Sequence, residues 1–227
     1  MKAFIIHLSK IDSSLASGIR LQKELKDICN IDAILFEGSY GDVCKEEYIK
    51  QGRKHHPWTF KGPSVLCNDD YIKKQSTPGI IGCFDSHYRL WKKCVELKEP
   101  IMIFEDDAHI ERQFYPVEFE EVLSLVSSHS KKIKKYIEYL ECPVGPPIAS
   151  DYLQSSMPGN AGYAIKPKAA AKLVNMYRNT FLPADNAINQ HIVKIQIHNY
   201  MLGKAKPRDK TDGKASLIRT HYWKNNA

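Results

Sequence analysis

The chain has 227 residues, 43% of them hydrophobic and 26% charged, with 12 Gly and 12 Pro; this is the composition of one globular domain and excludes collagen-like, coiled-coil and wholly disordered classes. The formal charge is +7, and the segment 203–227 alone carries seven Lys and Arg against two Asp, so most of the excess lies in the last ninth of the sequence. No apolar run approaches the roughly 20 residues that cross a bilayer.

The opening MKAFIIHLSK has its apolar run broken at His7 and no small-residue cleavage site after it, unlike a signal peptide. The expectation is a cytoplasmic protein, soluble or in peripheral contact with the inner face of an anionic membrane. The six cysteines form no C-x-x-C pair, which points to free buried thiols and argues against a zinc site.

Phe4–Leu8 reads as a short buried strand. A helix follows with Leu21, Leu25 and Ile28 on its inner face, then a strand over Asp32–Gly38. Strand–helix–strand at this spacing predicts a parallel right-handed crossover. Residues 39–78 are rich in Gly and Pro and read as a loop-rich insertion with short helices, a candidate lid. After Gly79 the spacing of Phe84, Tyr88, Trp91 and Val95 predicts a helix, which Pro100 stops, and Ile101–Phe104 forms an apolar strand.

Phe119, Val122, Leu123 and Val126 suggest another amphipathic helix, and Tyr136–Glu141 a strand. Pro167 opens a helix with Ala170, Leu173, Val174 and Tyr177 inward. A last helix starts near Asp185. The fold class is therefore α/β, a mixed, mostly parallel sheet flanked by helices. It forms one domain over 1–202 with a basic tail over 203–227.

The sharpest chemical feature is the strand end IMIFEDDA. Glu105, Asp106 and Asp107 put three carboxylates at the carboxyl edge of a sheet, where open α/β folds bind ligands. Adjacent half-buried anions are costly without a cation, and Mg²⁺ or Mn²⁺ with oxygen ligands is the natural compensation. Alone, the pattern also fits a phosphatase, a nuclease or an acidic turn.

Other candidates are weaker singly. Gly82 permits close backbone approach at a helix entry, and Ser86 and His87 could bond a phosphate or sugar, or be a cap and a packed histidine. Asn160, Gly162 and Tyr163 form a possible sugar loop or a turn into a strand. Asp185 is a carboxylate or a helix cap. Arg219 could hold a phosphate, and His221 a metal.

The order of these pieces resembles glycosyltransferase family 25, the lipooligosaccharide and collagen-type galactosyltransferase group. The matching stretches are FIIHLSKIDSSLASGIRLQKEL, the strand ending in FEG, TPGIIGCFDSHYRLWKKCVE, IMIFEDDA, NAGYAIKPKAAAKLV, PADNAI and ASLIR. The resemblance implies a Rossmann-like nucleotide-diphospho-sugar transferase fold of the GT-A type, a UDP-sugar donor and a metal on Glu105 to Asp107. It also implies Asp185 as the base that deprotonates the acceptor. Arg20 falls later than the arginine the family places soon after its first strand.

Two acceptors stay open. One is a hydroxyl on a lipooligosaccharide or other glycan. The other is a hydroxymethylated base in duplex DNA, as in phage DNA modification within a host cytoplasm. In that case the tail and Arg53, Lys54, His55, His56, Trp58 and Lys61 would contact the polyanion. A third reading, a non-catalytic sugar- or nucleotide-binding protein on the same scaffold, is disfavoured by the intact EDD, Ser86–His87 and Asp185.

Overall fold

A computed structural model of the chain describes residues 1–59, 61–127, 148–149, 156–157, 161–198 and 200–205. Its strands in chain order are β1 (Lys2–His7), β2 (Ala33–Glu37), β3 (Lys54–His55), β4 (Trp58–Thr59), β5 (Gly62–Leu66), β6 (Ile101–Glu105) and β7 (Ala108–Ile110). They continue with β8 (Val122–Ser124), β9 (Val126–Ser127), β10 (Ile148–Ala149), β11 (Gly162–Ile165), β12 (Thr180–Phe181), β13 (Ile195–Ile197) and β14 (Gly203–Ala205). The helices that shape the site are α1 (Asp12–Cys29), α2 (Gly41–Lys50), α3 (Asp69–Lys74) and α4 (Pro78–Leu97). Two more span Pro167–Met176 and Ala184–Ala187.

The main sheet runs β10-β13-β8-β11-β6-β1-β2. β1 pairs in parallel with both β2 and β6, β13 pairs in parallel with β8, and β11 runs against both β6 and β8. This is the expected mixed, mostly parallel sheet. Helices cover both faces, and the strands are accordingly apolar on both sides. Ala3 and Ile5 of β1 join Met102 and Phe104 of β6 against Leu21 and Leu25 of α1. The alternate residues Phe4, Ile101 and Ile103 face Phe84, Trp91 and Cys94 of α4 and Leu173 of the Pro167 helix. Complete burial of Phe84 and Trp91 contributes about 2–3 kcal/mol each relative to exposure.

Helix ends follow local chemistry. Asn30 closes α1 in the left-handed region at φ 52, and its amide bonds the carbonyls of Leu25 and Lys26. Pro78 and Pro167 open their helices at the position where a missing N–H costs nothing.

Several expectations are corrected. The segment with Val122, Leu123 and Val126 is strand, not helix: Val122 and Leu123 lie in β8 and Val126 in β9 of the β7-β14-β9 sheet. Because Val122 packs into one core and Leu123 into the other, β8 is buried on both faces and carries no period-2 signal. Ile28 and Val95 are not inward; they are 36% and 37% exposed. The last helix is only the four residues Ala184–Ala187. Residues 39–78 hold the ten-residue α2, α3 and a β4–β5 hairpin, and β3 ties them to β12. The strand expected at Tyr136–Glu141 and the tail beyond residue 205 lie outside the described residues.

Candidate functional site at the sheet edge

The chain leaves β1 to build β2 on one side, then returns through α4 to place β6 on the other. The carboxyl ends of β1 and β6 therefore flank a topological switch point, where α/β sheets take their ligands. A cleft opens there, lined by His7, Leu8 and Ser14 from the β1–α1 corner, Ser39–Asp42 before and into α2, Pro78, Gly79, Cys83, Ser86 and His87 of α4, and Glu105, Asp106 and Asp107. Four carboxylates line it, and among the described lining residues there is no Lys or Arg.

The acidic motif is held by several parts of the fold. The Ser14 hydroxyl donates to Oδ2 of Asp106, a side chain only 7% exposed, and accepts the amide of Leu8 at 2.9 Å. Arg20 clamps the turn beyond it, donating to the carbonyls of Asp106 and Ala108 at 3.0 and 2.9 Å. Glu24 holds Arg20 at 2.7 Å and accepts the Ile110 amide at 2.9 Å.

Glu105 is oriented from the core. The indole of Trp91 donates to the Tyr163 oxygen at 2.8 Å, Tyr163 lies 2.9 Å from Nδ1 of His87, and Nε2 of His87 lies 3.2 Å from Glu105 Oε1. An ionised carboxylate can only accept, so Nε2 of His87 carries the hydrogen and the direction of the chain follows. Tyr163 donates to Nδ1, and the Nε2–H of a neutral His87 donates to the carboxylate. Burial lowers the His87 pKa to about 4, against the opposing pull of Asp185, which keeps the ring neutral. Burial, reinforced by the charges of Glu105, Asp185, Asp107 and Asp106, pushes the Cys83 thiol well up. The charge of Asp185 thus reaches both Cys83 and His87 from the short helix packed on α4.

The structure brings Glu105, Asp106, Asp107, Ser86, His87 and the field of Asp185 together. It gives other residues different work. Gly82 does not face the cleft: a Cβ there would meet the Ser39 carbonyl at 2.5 Å and Gly41 at 2.9 Å, so it permits contact between α4 and the start of α2. Ser86 ties the same contact, donating to the Gly82 carbonyl and accepting from the Ser39 amide. Gly162 makes room for Phe104 and Val126, and Tyr163 is wholly buried behind His87.

The 53–61 run is not one basic face. The Arg53 guanidinium lies 4.0 Å from the Tyr48 ring centre and 4.8 Å from that of Tyr88, and donates to the carbonyls of Tyr177 and Thr180. His56 is buried, His55 and Trp58 are half-buried, and only Lys54 and Lys61 of the six are exposed. Asn160, Arg219 and His221 lie outside the described residues.

The sequence alone does not single out Ser14, and Arg20 stands out there only by its late position; the i, i+4 spacing of Arg20 and Glu24 is the one signal that Arg20 is fixed. The cysteines of the described residues are free, as expected, but only Cys94 is buried; Cys29, Cys44, Cys67 and Cys83 are partly exposed.

The fold is α/β, with a carboxylate-lined cleft at the carboxyl edge of its main sheet. The profile of "Glycosyltransferase family 25 (LPS biosynthesis protein)" matches residues 13–188. The chain belongs to glycosyltransferase family 25, a family of sugar-transferring enzymes. A 47-residue stretch is 45% identical to a glycosyltransferase 25 family member of Aedes aegypti and 43% identical to procollagen galactosyltransferase 2 of Homo sapiens. Each match covers 20% of this chain and only 8% of the relative's own length. Among solved structures, mouse xyloside xylosyltransferase 1 is similar over 84% of this chain and 80% of that one, at 8% identity and a TM-score of 0.32.

Proposed function

We propose that this protein is a metal-dependent glycosyltransferase that moves a sugar from a nucleoside-diphosphate donor, a UDP-sugar, onto a hydroxyl of a lipooligosaccharide or related glycan. The observation that carries this reading is the charge of the cleft: four carboxylates at the switch point, with no Lys or Arg among the described lining residues. A diphosphate does not enter such a cleft without a cation to offset the repulsion.

The donor set fits a hard cation. Asp106 and Asp107 offer oxygen ligands to Mn²⁺ or Mg²⁺, and Ser14 and Arg20 fix the motif before any ion arrives. When bound, such an ion neutralises the charge that develops on the leaving diphosphate. The protein's own groups do the rest. His87 aims Glu105 into the cleft, and Asp185 takes the proton from the attacking acceptor hydroxyl. Residues 39–42 and 78 border the cleft, so the 39–78 segment serves as its lid. A glycan acceptor is favoured over DNA because, among the described residues of the 53–61 run, only Lys54 and Lys61 of the six named are exposed and Arg53 is tied to backbone carbonyls.

The test is a screen of UDP-galactose, UDP-glucose and a UDP-pentose against glycans and hydroxymethylcytosine DNA with Mn²⁺, following UDP release and product mass. Sugar on a glycan, abolished by chelator, supports the reading. Sugar on DNA alone, or transfer untouched by chelator, overturns it.

A further inference from the structure

Cys83 and His87 lie one turn apart on α4, and both meet the carboxyl end of β6. Sγ of Cys83 is 4.0 Å from Glu105 Oε1, and Nε2 of His87 is 3.2 Å from the same oxygen. The three ligand atoms all fall within 4.8 Å of one another. A tetrahedral Zn²⁺, with bonds of about 2.0–2.1 Å to N and O and about 2.3 Å to S, sets N and O about 3.3 Å apart and S and O about 3.5 Å apart. The N–O spacing of 3.2 Å matches, and Sγ, at 4.0 Å, must draw in by about 0.5 Å on binding. No C-x-x-C motif announces the cluster, because its ligands come from one helix turn and a neighbouring strand.

We propose that Cys83, His87 and Glu105 form a second cation site, selective for a soft divalent ion such as Zn²⁺ and separate from the oxygen ligands of Asp106 and Asp107. Thiolate and imidazole favour Zn²⁺ over Mg²⁺ or Mn²⁺. The surrounding field favours any dication, since Asp106, Asp107 and Asp185 all act on the Cys83 thiol.

Binding balances as follows. The thiol proton leaves to solvent as the Zn–S bond forms. The His87 proton passes from Nε2 to Nδ1, which frees the Nε2 lone pair for the metal. Nδ1–H then donates to Tyr163, whose oxygen also accepts from Trp91, and the phenol hydrogen turns away. The phenol hydrogen, which loses its Nδ1 acceptor, opposes binding. Because Glu105 is drawn into this site, Zn²⁺ inhibits the transfer reaction; that consequence alone rests on the proposed function.

The experiment titrates the metal-free full chain with Co²⁺ and follows thiolate-to-cobalt charge-transfer absorption in the near ultraviolet. One equivalent should produce the band, and Cys83→Ser should abolish it. Cys83→Ala should do the same, and circular dichroism should show both variants folded. No band in the natural protein, or an undiminished band in both variants, overturns the site. Separately, at fixed Mn²⁺, half-inhibition of transfer should need at least tenfold more Zn²⁺ in Cys83→Ser. Should no transfer be detected at all, the proposed function fails while the cobalt titration still decides the site.

Discussion

Ser14 and Asp106 stand 92 residues apart and meet across the switch point, the serine hydroxyl donating to Oδ2 of the buried carboxylate. The same hydroxyl accepts the Leu8 amide, so one side chain joins the end of β1 to the acidic motif. Ser14→Ala removes both partners at once. We expect a loss of about 1–3 kcal/mol of stability and a fall of at least tenfold in kcat/KM, checked by urea unfolding and steady-state kinetics. Unchanged values in both would remove Ser14 from the support of the site.

Asp107 lines the cleft in the turn after β6. Asp107→Ala should abolish Mn²⁺-dependent donor hydrolysis and transfer while the unfolding free energy stays within about 0.5 kcal/mol of the natural protein, the usual range for a residue outside the core. Full activity in this variant would end its assignment as a metal ligand.

How far the site could be read in advance depended on where its signals lay. The carboxylates were visible because an apolar β6 ends abruptly in three acids. The β1–α1–β2 crossover was visible because Leu21 and Leu25 keep a helical period and β1 is short and apolar. The strand nature of β8 was hidden: Val122 and Leu123 are both buried, one in each core, and a strand covered on both faces shows no alternation to separate it from a helix. Arg53 was misread for a related reason. A guanidinium written beside His55 and His56 looks like a polyanion contact, yet it sits against Tyr48 and Tyr88 and bonds two carbonyls. Sequence neighbours reveal charge, not which way it points.

Acid should weaken the fold early. Burial lowers the pKa of His55, His56, His198 and His87, the last to about 4. In the unfolded chain each titrates near 6.5, as a model histidine does. The unfolded state therefore binds more protons between these values, and stability rises with pH across that window. What these neutral rings contribute is complete above about pH 6.5 and is lost as the pH falls toward 4. Urea titrations of the metal-free chain should show the midpoint dropping as the pH falls from about 6.5 to 4.5; a flat profile would contradict the assignment.

Gly82 separates a structural glycine from a ligand-binding one. A Cβ at this position meets backbone atoms of Ser39 and Gly41 at 2.5 and 2.9 Å, and backbone cannot turn aside as a flexible side chain can. Gly82→Ala should push α2 from α4 and cost about 1–3 kcal/mol, the usual scale for overpacking. Urea unfolding reads this directly. A fall in donor affinity with stability intact would instead place Gly82 against the donor.

Asp185 is the carboxylate whose role most needs a kinetic test. It lies in the first turn of the four-residue helix packed on α4, with its carbonyl accepting the Met157 amide and its charge felt at Cys83 and His87. A base that accepts the acceptor's proton acts in the transition state and not in donor binding. Asp185→Asn keeps the side chain's size and removes its basicity. We therefore expect kcat for transfer to fall by about 100-fold or more, within the range for general-base loss, while the donor KM changes less than threefold. The acidic limb of the pH–rate profile should vanish with it. Equal losses in kcat and donor affinity, with that limb retained, would make Asp185 a structural residue of the short helix, and the acceptor's proton would need another route out of the cleft.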